Sequence, residues 1–346
     1  MVEAGIERPV VRLPTDERHA HPVPLSERIL RNLPGSQWFW IALVVAADAL
    51  GNLFVIPAAF DLSTSPDVPS RGALYVWAVV FPYVVAMSFW ASHRFAVQVR
   101  DLHPLMQELG LSPHEAGRPF RNVGSIAGPV LLTLAFTTFE IVALAVVHGT
   151  RTALVFLTVV PFLNLVPIAT LWAYFSVLTG LRRLGRERLQ LDLVPDEPWF
   201  GLQPVGRLAF SAFGIVVGAM YVPVLVTLHA STAGLIVNLV VFVFTLAFFF
   251  WSVVGLHRQM APAKARQLKD VRALYTEAYE PIRRDGTLDA VSSQAEILNT
   301  LDKLERRVAA LRTWPFDTRA LAWIAGISTG VLTIVLSRLA LTPLGL

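Results

Sequence analysis

The sequence predicts an all-α fold. It is a polytopic bundle of seven transmembrane helices, amino terminus in the cytosol and carboxy terminus outside, with a cytosolic antiparallel helical hairpin before the last span. Three observations predict it. Hydrophobic residues fill 54% of the 346 positions and charged residues only 16%, where a soluble globule carries about a quarter charged; the mean hydropathy is +0.56. Apolar runs of roughly the 20 residues that cross a hydrocarbon core recur along the chain. Arginine gathers in every second connection between those runs, the pattern that sets orientation in a membrane.

The elements follow in order. Residues 1–36 are polar and rich in proline and arginine, with no apolar stretch ending in small residues. They read as a disordered cytosolic segment and not as a signal peptide, closing with a short interfacial helix over Glu27–Leu33. Residues 37–256 hold six spans: Trp38–Phe60, Leu74–Phe95, Ser125–Val147, Thr152–Leu178, Val205–Leu228 and Gly234–Leu256. Trp38, Trp40, Trp77, Trp90 and Trp323 fall near span ends, where indole rings favour the headgroup region.

Arg28 and Arg31 precede the first span. Arg94, Arg100, Arg118 and Arg121 flank the second connection, and Arg182, Arg183, Arg186, Arg188 and Arg207 crowd the fourth. The connections between carry Arg71 and Arg151 and little else. In the second connection Leu102, Leu105, Met106, Leu109 and Leu111 form an apolar stripe at helical spacing, expected to lie on the inner membrane surface. The fourth, Arg182–Pro204, reads as an interfacial turn.

Residues 257–313 form the hairpin. Leu268, Val271, Tyr275, Ala278 and Ile282 alternate by three and four, as do Ile297, Leu301, Leu304, Val308 and Leu311, which is the seam of a coiled coil. Gly286 supplies a stop and Ser293-x-x-Glu296 a capping box. Each arm is too short to be stable alone. The pair is therefore expected to dock on the bundle, with Asp270, Glu277, Glu280, Glu296, Asp302 and Glu305 towards the arginines of the second and fourth connections. Residues 314–346 hold Trp314-Pro315-Phe316, the seventh span Thr318–Leu341 and a short external tail. The proline makes the joint rigid, so a mechanical link from hairpin to last span is expected.

This tail resembles that of a group of prokaryotic polytopic membrane proteins. Their penultimate span ends in a Gly/His/Arg step, matched by Gly255, His257 and Arg258, and a Trp-Pro-aromatic motif, matched by Trp314-Pro315-Phe316, opens their last span. The resemblance covers about the last 110 residues and implies no activity. In layout alone, without a shared motif, the chain is also similar to insect chemoreceptor channels. That analogy implies a last span lining a pore in a tetramer.

Composition narrows the function classes. Cysteine is absent, which removes disulfides, thiolate chemistry and cysteine metal sites. The excess of Lys+Arg over Asp+Glu, 29 against 25, is explained by topology and not by nucleic acid. No Walker, G-x-G-x-x-G or H-E-x-x-H signature is present, and the eight histidines are scattered. No catalytic residue, metal or cofactor is expected.

The polar residues within apolar runs are the candidates. Asp48 lies near the middle of the first span with Asn52 one turn on. A carboxyl there must be protonated, paired or wet; Asn164 is the expected neighbour if it is paired. Glu140 and Arg338 lie at similar outer depth in the third and last spans and are expected either to pair or to line a path. Pro161 and Pro167 flank Asn164 in the fourth span, a break of the kind that lines cavities in transporters. Gly214-x-x-x-Gly218 reads as a close-packing motif. Gly326, Thr329, Gly330, Thr333 and Ser337 make a small polar stripe on the last span, for tight packing or a pore lining.

Two functions fit this layout in the multi-pass cell membrane. One is channel-like or transporter-like passage of an ion or small solute through Asp48, Asn52, Glu140, Asn164, Thr329, Thr333, Ser337 and Arg338. The other is a membrane-anchored sensor or scaffold acting through the hairpin, with Trp314, Pro315 and Phe316 as its coupling joint. The expected partners are the lipid bilayer, further copies of the chain, and a cytosolic protein at 257–313.

Overall fold

A computed structural model describes residues 22–55, 71–157, 160–187, 189, 191, 198–227, 232–285 and 288–341. Every regular element among them is helical. The elements are α1 (Leu25–Asn32), α2 (Gln37–Leu50, continued by a π turn over Gly51–Val55), α3 (Arg71–Glu108), α4 (Pro113–Gly117), a 3-10 turn (Arg121–Gly124), α5 (Ala127–His148) and α6 (Thr150–Leu157). Then come α7 (Val160–Leu184), α8 (Gln203–Thr227), α9 (Thr232–Asp285), α10 (Leu288–Ala310) and α11 (Thr318–Leu341).

Among the described residues two stretches are long and apolar enough to cross a membrane, Asn164–Leu184 and Leu239–Arg284. A third exists if Leu25–Asn32 and Gln37–Leu50, bent by 113°, form one span. Large apolar side chains stand exposed along several helices: Trp38 at 71%, Phe139 at 70%, Val146 at 81% and Trp323 at 68%. A water-soluble monomer does not carry apolar surface on that scale. The protein is a helical, membrane-associated one.

Two helices run past the ends of their apolar segments without a break. Helix α3 spans 38 residues and α9 spans 54, about 57 and 81 Å at 1.5 Å per residue, against roughly 30 Å of hydrocarbon. Continuity of α3 corrects one expectation. Leu102, Met106, Leu109 and Leu111 are buried against protein in the main core and do not lie on a separate surface helix. Helical spacing shows that a stripe must be covered; it does not show by what. The helix α9 likewise carries the chain from the apolar run into the hairpin's first arm, so position 257 falls inside one rigid element.

The main core sits at the arginine-rich end of the bundle. It joins Phe95 and Leu102 of α3, Val177 and Leu181 of α7, Leu208 and Phe213 of α8, and Phe249 and Leu256 of α9. It continues through Val271 and Val308 of the hairpin to Phe316 and Ile324.

The arms α9 and α10 pack antiparallel. Val271, Leu301 and Val308 are buried between them, whereas Tyr275 and Ile297 further out are exposed, so the seam closes at its base and opens towards its tip. Two further expectations are corrected. Helix α10 starts at Leu288, which places Ser293 and Glu296 inside it and leaves no capping box there; the stop at Gly286 lies outside the described residues. Three of the six acids named for contact with the bundle's arginines instead pair within the hairpin: Glu305 with Arg272 at 3.0 Å, Glu280 with Arg284 at 3.4 Å and Asp302 with Arg306 at 2.9 Å. Exposed ion pairs contribute little, and they do not set the docking.

Docking instead uses helix ends. The last carbonyls of a helix lack intrahelical donors, and Gln259 Nε2 of α9 donates to the carbonyls of Gly185 and Glu187, just past the end of α7, at 2.8 Å each. Lys264 Nζ does the same at the end of α10, donating to Ala309 O and Leu311 O at 2.7 and 2.6 Å, a cation where the helix dipole favours one.

Candidate functional site

Two places concentrate polar or aromatic side chains under constraint. The first is the joint between hairpin and last helix. Trp314 stacks on His257, ring centroids 4.3 Å apart and planes 15° apart. His257 Nδ1 donates to the carbonyl of Thr313 at 2.8 Å; since a carbonyl only accepts, Nδ1 carries the proton. Phe316 is buried against Phe249 at 5.8 Å. The carbonyl of Pro315 presses onto Gly206 of α8, where a Cβ would overlap it. Arg312 N donates to Pro198 O at 2.8 Å, and its guanidinium lies 5.4 Å over Trp199 and 2.6 Å from Asp317. His257 of the Gly/His/Arg step and Trp314 of the Trp-Pro-aromatic motif, about 60 positions apart in sequence, are thus in contact. Gly255 serves the same region differently: a Cβ on its neighbour Gly185 would stand 2.8 Å from the Gly255 carbonyl carbon, so α7 and α9 touch backbone to backbone.

The second place is inside the bundle. A cavity of about 480 Å³ opens between α3, α5, α7, α8 and α9, within the range that holds small ligands, roughly 300–1,000 Å³. Its walls are mostly aliphatic and aromatic, among them Phe136, Leu171, Ile215 and Phe244. Polar groups at Ser88, Asn164, Thr170, Tyr174 and Thr245 interrupt them. Thr245 and Ser88 hydroxyls return to their own helices, bonding Val241 O and Val84 O at 2.8 and 2.7 Å. Asn164 Nδ2 donates to Glu140 Oε2 at 2.5 Å and to Thr137 Oγ1 at 3.4 Å, which ties α7 to α5 at the cavity's edge. Pro167, one turn on, also lines it.

Asn164 and Pro167 of the fourth span sit at a cavity whose wall does not include Pro161, and Asn164 meets Glu140. Asp48 does not join them. It is buried, 3% exposed, on a helix packed against α1 and α3, and the cavity wall does not include it. Its expected neighbour Asn164 gives its amide to Glu140 instead. The side chains of Asn52 and Arg338 lie outside the described residues, and with them the expected pairing of Glu140 with Arg338. On α11 Thr329, Thr333 and Ser337 are exposed, and a Cβ at Gly326 or Gly330 would meet nothing within 4 Å. Gly214 and Gly218 are equally open, which corrects the close-packing reading of that motif. The tight glycines are Gly128, Gly180, Gly185, Gly206 and Gly255, where helix ends and aromatic rings converge.

Spacing missed the polar chain that anchors α1. Ser26 Oγ donates to Ser92 Oγ at 2.7 Å, Ser92 meets Thr170 Oγ1 at 2.8 Å, and Thr170 reaches Ser88 O at 2.9 Å. Beside it Glu27, 2% exposed, holds Arg31 at 3.1 Å and His93 at 3.2 Å. The one signal in the sequence is that Ser92 and Thr170 are hydroxyls within apolar runs. Tyr174 was missed for the same reason, as an aromatic among aromatics.

Comparison with known proteins gives no match to a family model, to a curated protein or to a solved structure.

Proposed function

We propose that the chain is a multi-pass cell-membrane protein of seven spans, amino terminus inside and carboxy terminus outside, that passes a small solute by a transporter-like route through the cavity beside α7. One observation carries the reading: a proline-containing helix presents Asn164 to a cavity among the helices while the same amide holds Glu140 of the neighbouring helix α5. Helix breaks of this kind expose backbone and polar groups to a path. The mostly apolar wall favours a small solute over a bare ion, which needs charged or carbonyl-lined surroundings. The outward stripe of α11, Gly326 to Ser337, is left for contact with lipid or with further copies.

A sensor or scaffold acting through the hairpin is the second reading. It is favoured by the unbroken α9 and by the His257–Trp314 stack, which join the hairpin stiffly to two membrane helices.

Flux of a solute panel into proteoliposomes separates the two. Passage through the cavity predicts flux that Asn164→Leu lowers about tenfold, the scale of one buried polar contact, and that survives deletion of Lys269–Val308. Flux unchanged by Asn164→Leu, or no flux with a cytosolic partner lost on the deletion, overturns the transport reading.

A further inference from the structure

Several arginines at the arginine-rich end of the bundle are engaged. Arg31 pairs with Glu27, Arg28 donates to Gly124 O at 3.1 Å, and the Arg182 guanidinium lies over the Trp251 ring. Arg118, Arg121 and Arg183 differ. They are exposed, and none makes an ion pair or a side-chain hydrogen bond among the described residues. They come from three elements: the end of α4, the 3-10 turn and the last turn of α7. All three nevertheless line one recess of about 390 Å³, together with Pro119 and Glu187. Like charges without a partner repel one another, so packing must hold these positions together.

The packing beneath them is tight. Phe120 is buried, and a Cβ on Gly180 of α7 would stand 2.6 Å from its ring and 3.1 Å from the Pro119 carbonyl oxygen. Trp172 Nε1 of α7 donates to Asn122 O at 3.0 Å. The segment that carries Arg118 and Arg121 is thus clamped to the helix that carries Arg183. A recess whose backbone is placed in advance binds without the cost of assembling it. The carbonyls of Gly185 and Glu187 already accept from Gln259, which weakens the negative potential at the end of α7. Three guanidinium groups stand against one carboxylate on the wall. That balance disfavours a cation and suits a phosphate, whose oxygens the guanidinium fork matches two at a time.

The surroundings point to a lipid as the carrier of that phosphate. Just past the 3-10 turn exposed apolar side chains begin, with Ile126, Val130 and Leu131. A headgroup held by the arginines leaves its acyl chains beside that surface. In the proposed orientation this end meets the inner leaflet, where anionic lipids gather. We propose that Arg118, Arg121 and Arg183 form a binding site for the phosphate group of an anionic glycerophospholipid. The site is separate from the Asn164 cavity and does not depend on passage through it.

The test is native mass spectrometry of the full chain in a non-ionic detergent. The probe is dioleoylphosphatidylglycerol; dioleoylglycerol has the same chains without the phosphate, and inorganic phosphate is the competitor. The phospholipid should be retained at least about tenfold better than dioleoylglycerol, and Arg121→Gln and Arg183→Gln should each lower its retention about tenfold, the worth of one charge-assisted contact. Arg207→Gln removes the same charge from an exposed position of α8 outside the recess, and should change retention by less than about twofold, since distant exposed charges are screened. Glu187→Gln removes the opposing carboxylate and should tighten binding about two- to fivefold, a gain that misfolding does not produce.

Equal retention of dioleoylglycerol, a loss with Arg207→Gln as large as with the recess variants, or weaker binding in a folded Glu187→Gln variant overturns the proposal. Displacement of the phospholipid by inorganic phosphate at equal concentration overturns the lipid as carrier and assigns the arginines to a soluble phosphate. The experiment measures no flux, so its failure and the failure of the transport reading are separate results.

Discussion

Trp314 lies flat on His257, and His257 Nδ1 holds the carbonyl of the residue before that tryptophan. One side chain of α9 thereby fixes both the ring and the backbone of the joint that opens α11. His257→Phe should keep the stack and lose the hydrogen bond, lowering stability by about 1 kcal/mol. His257→Ala should lose both and cost about 2 kcal/mol. Thermal unfolding in detergent checks the order; equal losses would mean that the stack contributes nothing.

The glycines separate into two classes. Gly185→Ala and Gly206→Ala put a methyl group into a neighbouring backbone and should destabilise by about 1–3 kcal/mol or prevent assembly. Gly214→Ala and Gly326→Ala enter open space inside helices and should be neutral or stabilising by about 0.5–1 kcal/mol. A loss at Gly214 as large as that at Gly206 would show that the spacing motif packs after all.

Asp317 sets a pH dependence. Its carboxyl is held below the usual carboxylate range, first by the hydroxyl of Thr318 and then by the Thr318 backbone and by Arg312. A depressed folded-state value adds stability that is present above the ordinary carboxylate range and is lost as pH falls through the lower folded value. Asp317→Asn should thus be less stable than the native chain at neutral pH, with the gap closing under acid. A gap that stays constant with pH would assign the effect to shape and not to charge.

Much of this architecture was legible in the sequence, for reasons that differ by element. The all-helical class follows from apolar runs without strand alternation. The short helix α1 follows from its pattern, and α9 and α10 pair because Val271 and Val308 fall on facing stripes. Pairing across long separations was not legible. Glu27 with His93, Asn164 with Glu140 and Gln259 with the end of α7 depend on which helices become neighbours, and periodicity carries no such information. The open flanks of Gly214 show the converse: a motif states what an interface would tolerate and not that one exists. Charge misled at the hairpin, since short-range pairs such as Arg272–Glu305 form more readily than pairs reaching to the bundle.

The absence of cysteine gives a clean background for topology and pairing. Single cysteines at Ser65 and Thr342 should react with an impermeant maleimide added outside, and one at Ser292 should not; the reverse pattern contradicts the orientation. Cysteines at Val271 and Val308, both buried in the seam, should crosslink within one chain. Crosslinks found only between chains would show arms exchanged between copies.

The central claim is a water-accessible route at the Asn164 cavity, and thiol chemistry reads it directly. A thiol reacts with a maleimide as thiolate, which forms only where water reaches it. Ser88→Cys and Asn164→Cys place thiols on the cavity wall, and Phe139→Cys places one on an exposed position of α5 outside it, which the proposed topology turns to lipid. With N-ethylmaleimide on membranes, a route predicts that the two cavity thiols react at least about tenfold faster than the one at 139, a difference of about one pKa unit in effective ionisation. Cavity thiols as silent as the one at 139, in protein that folds normally, would contradict the account.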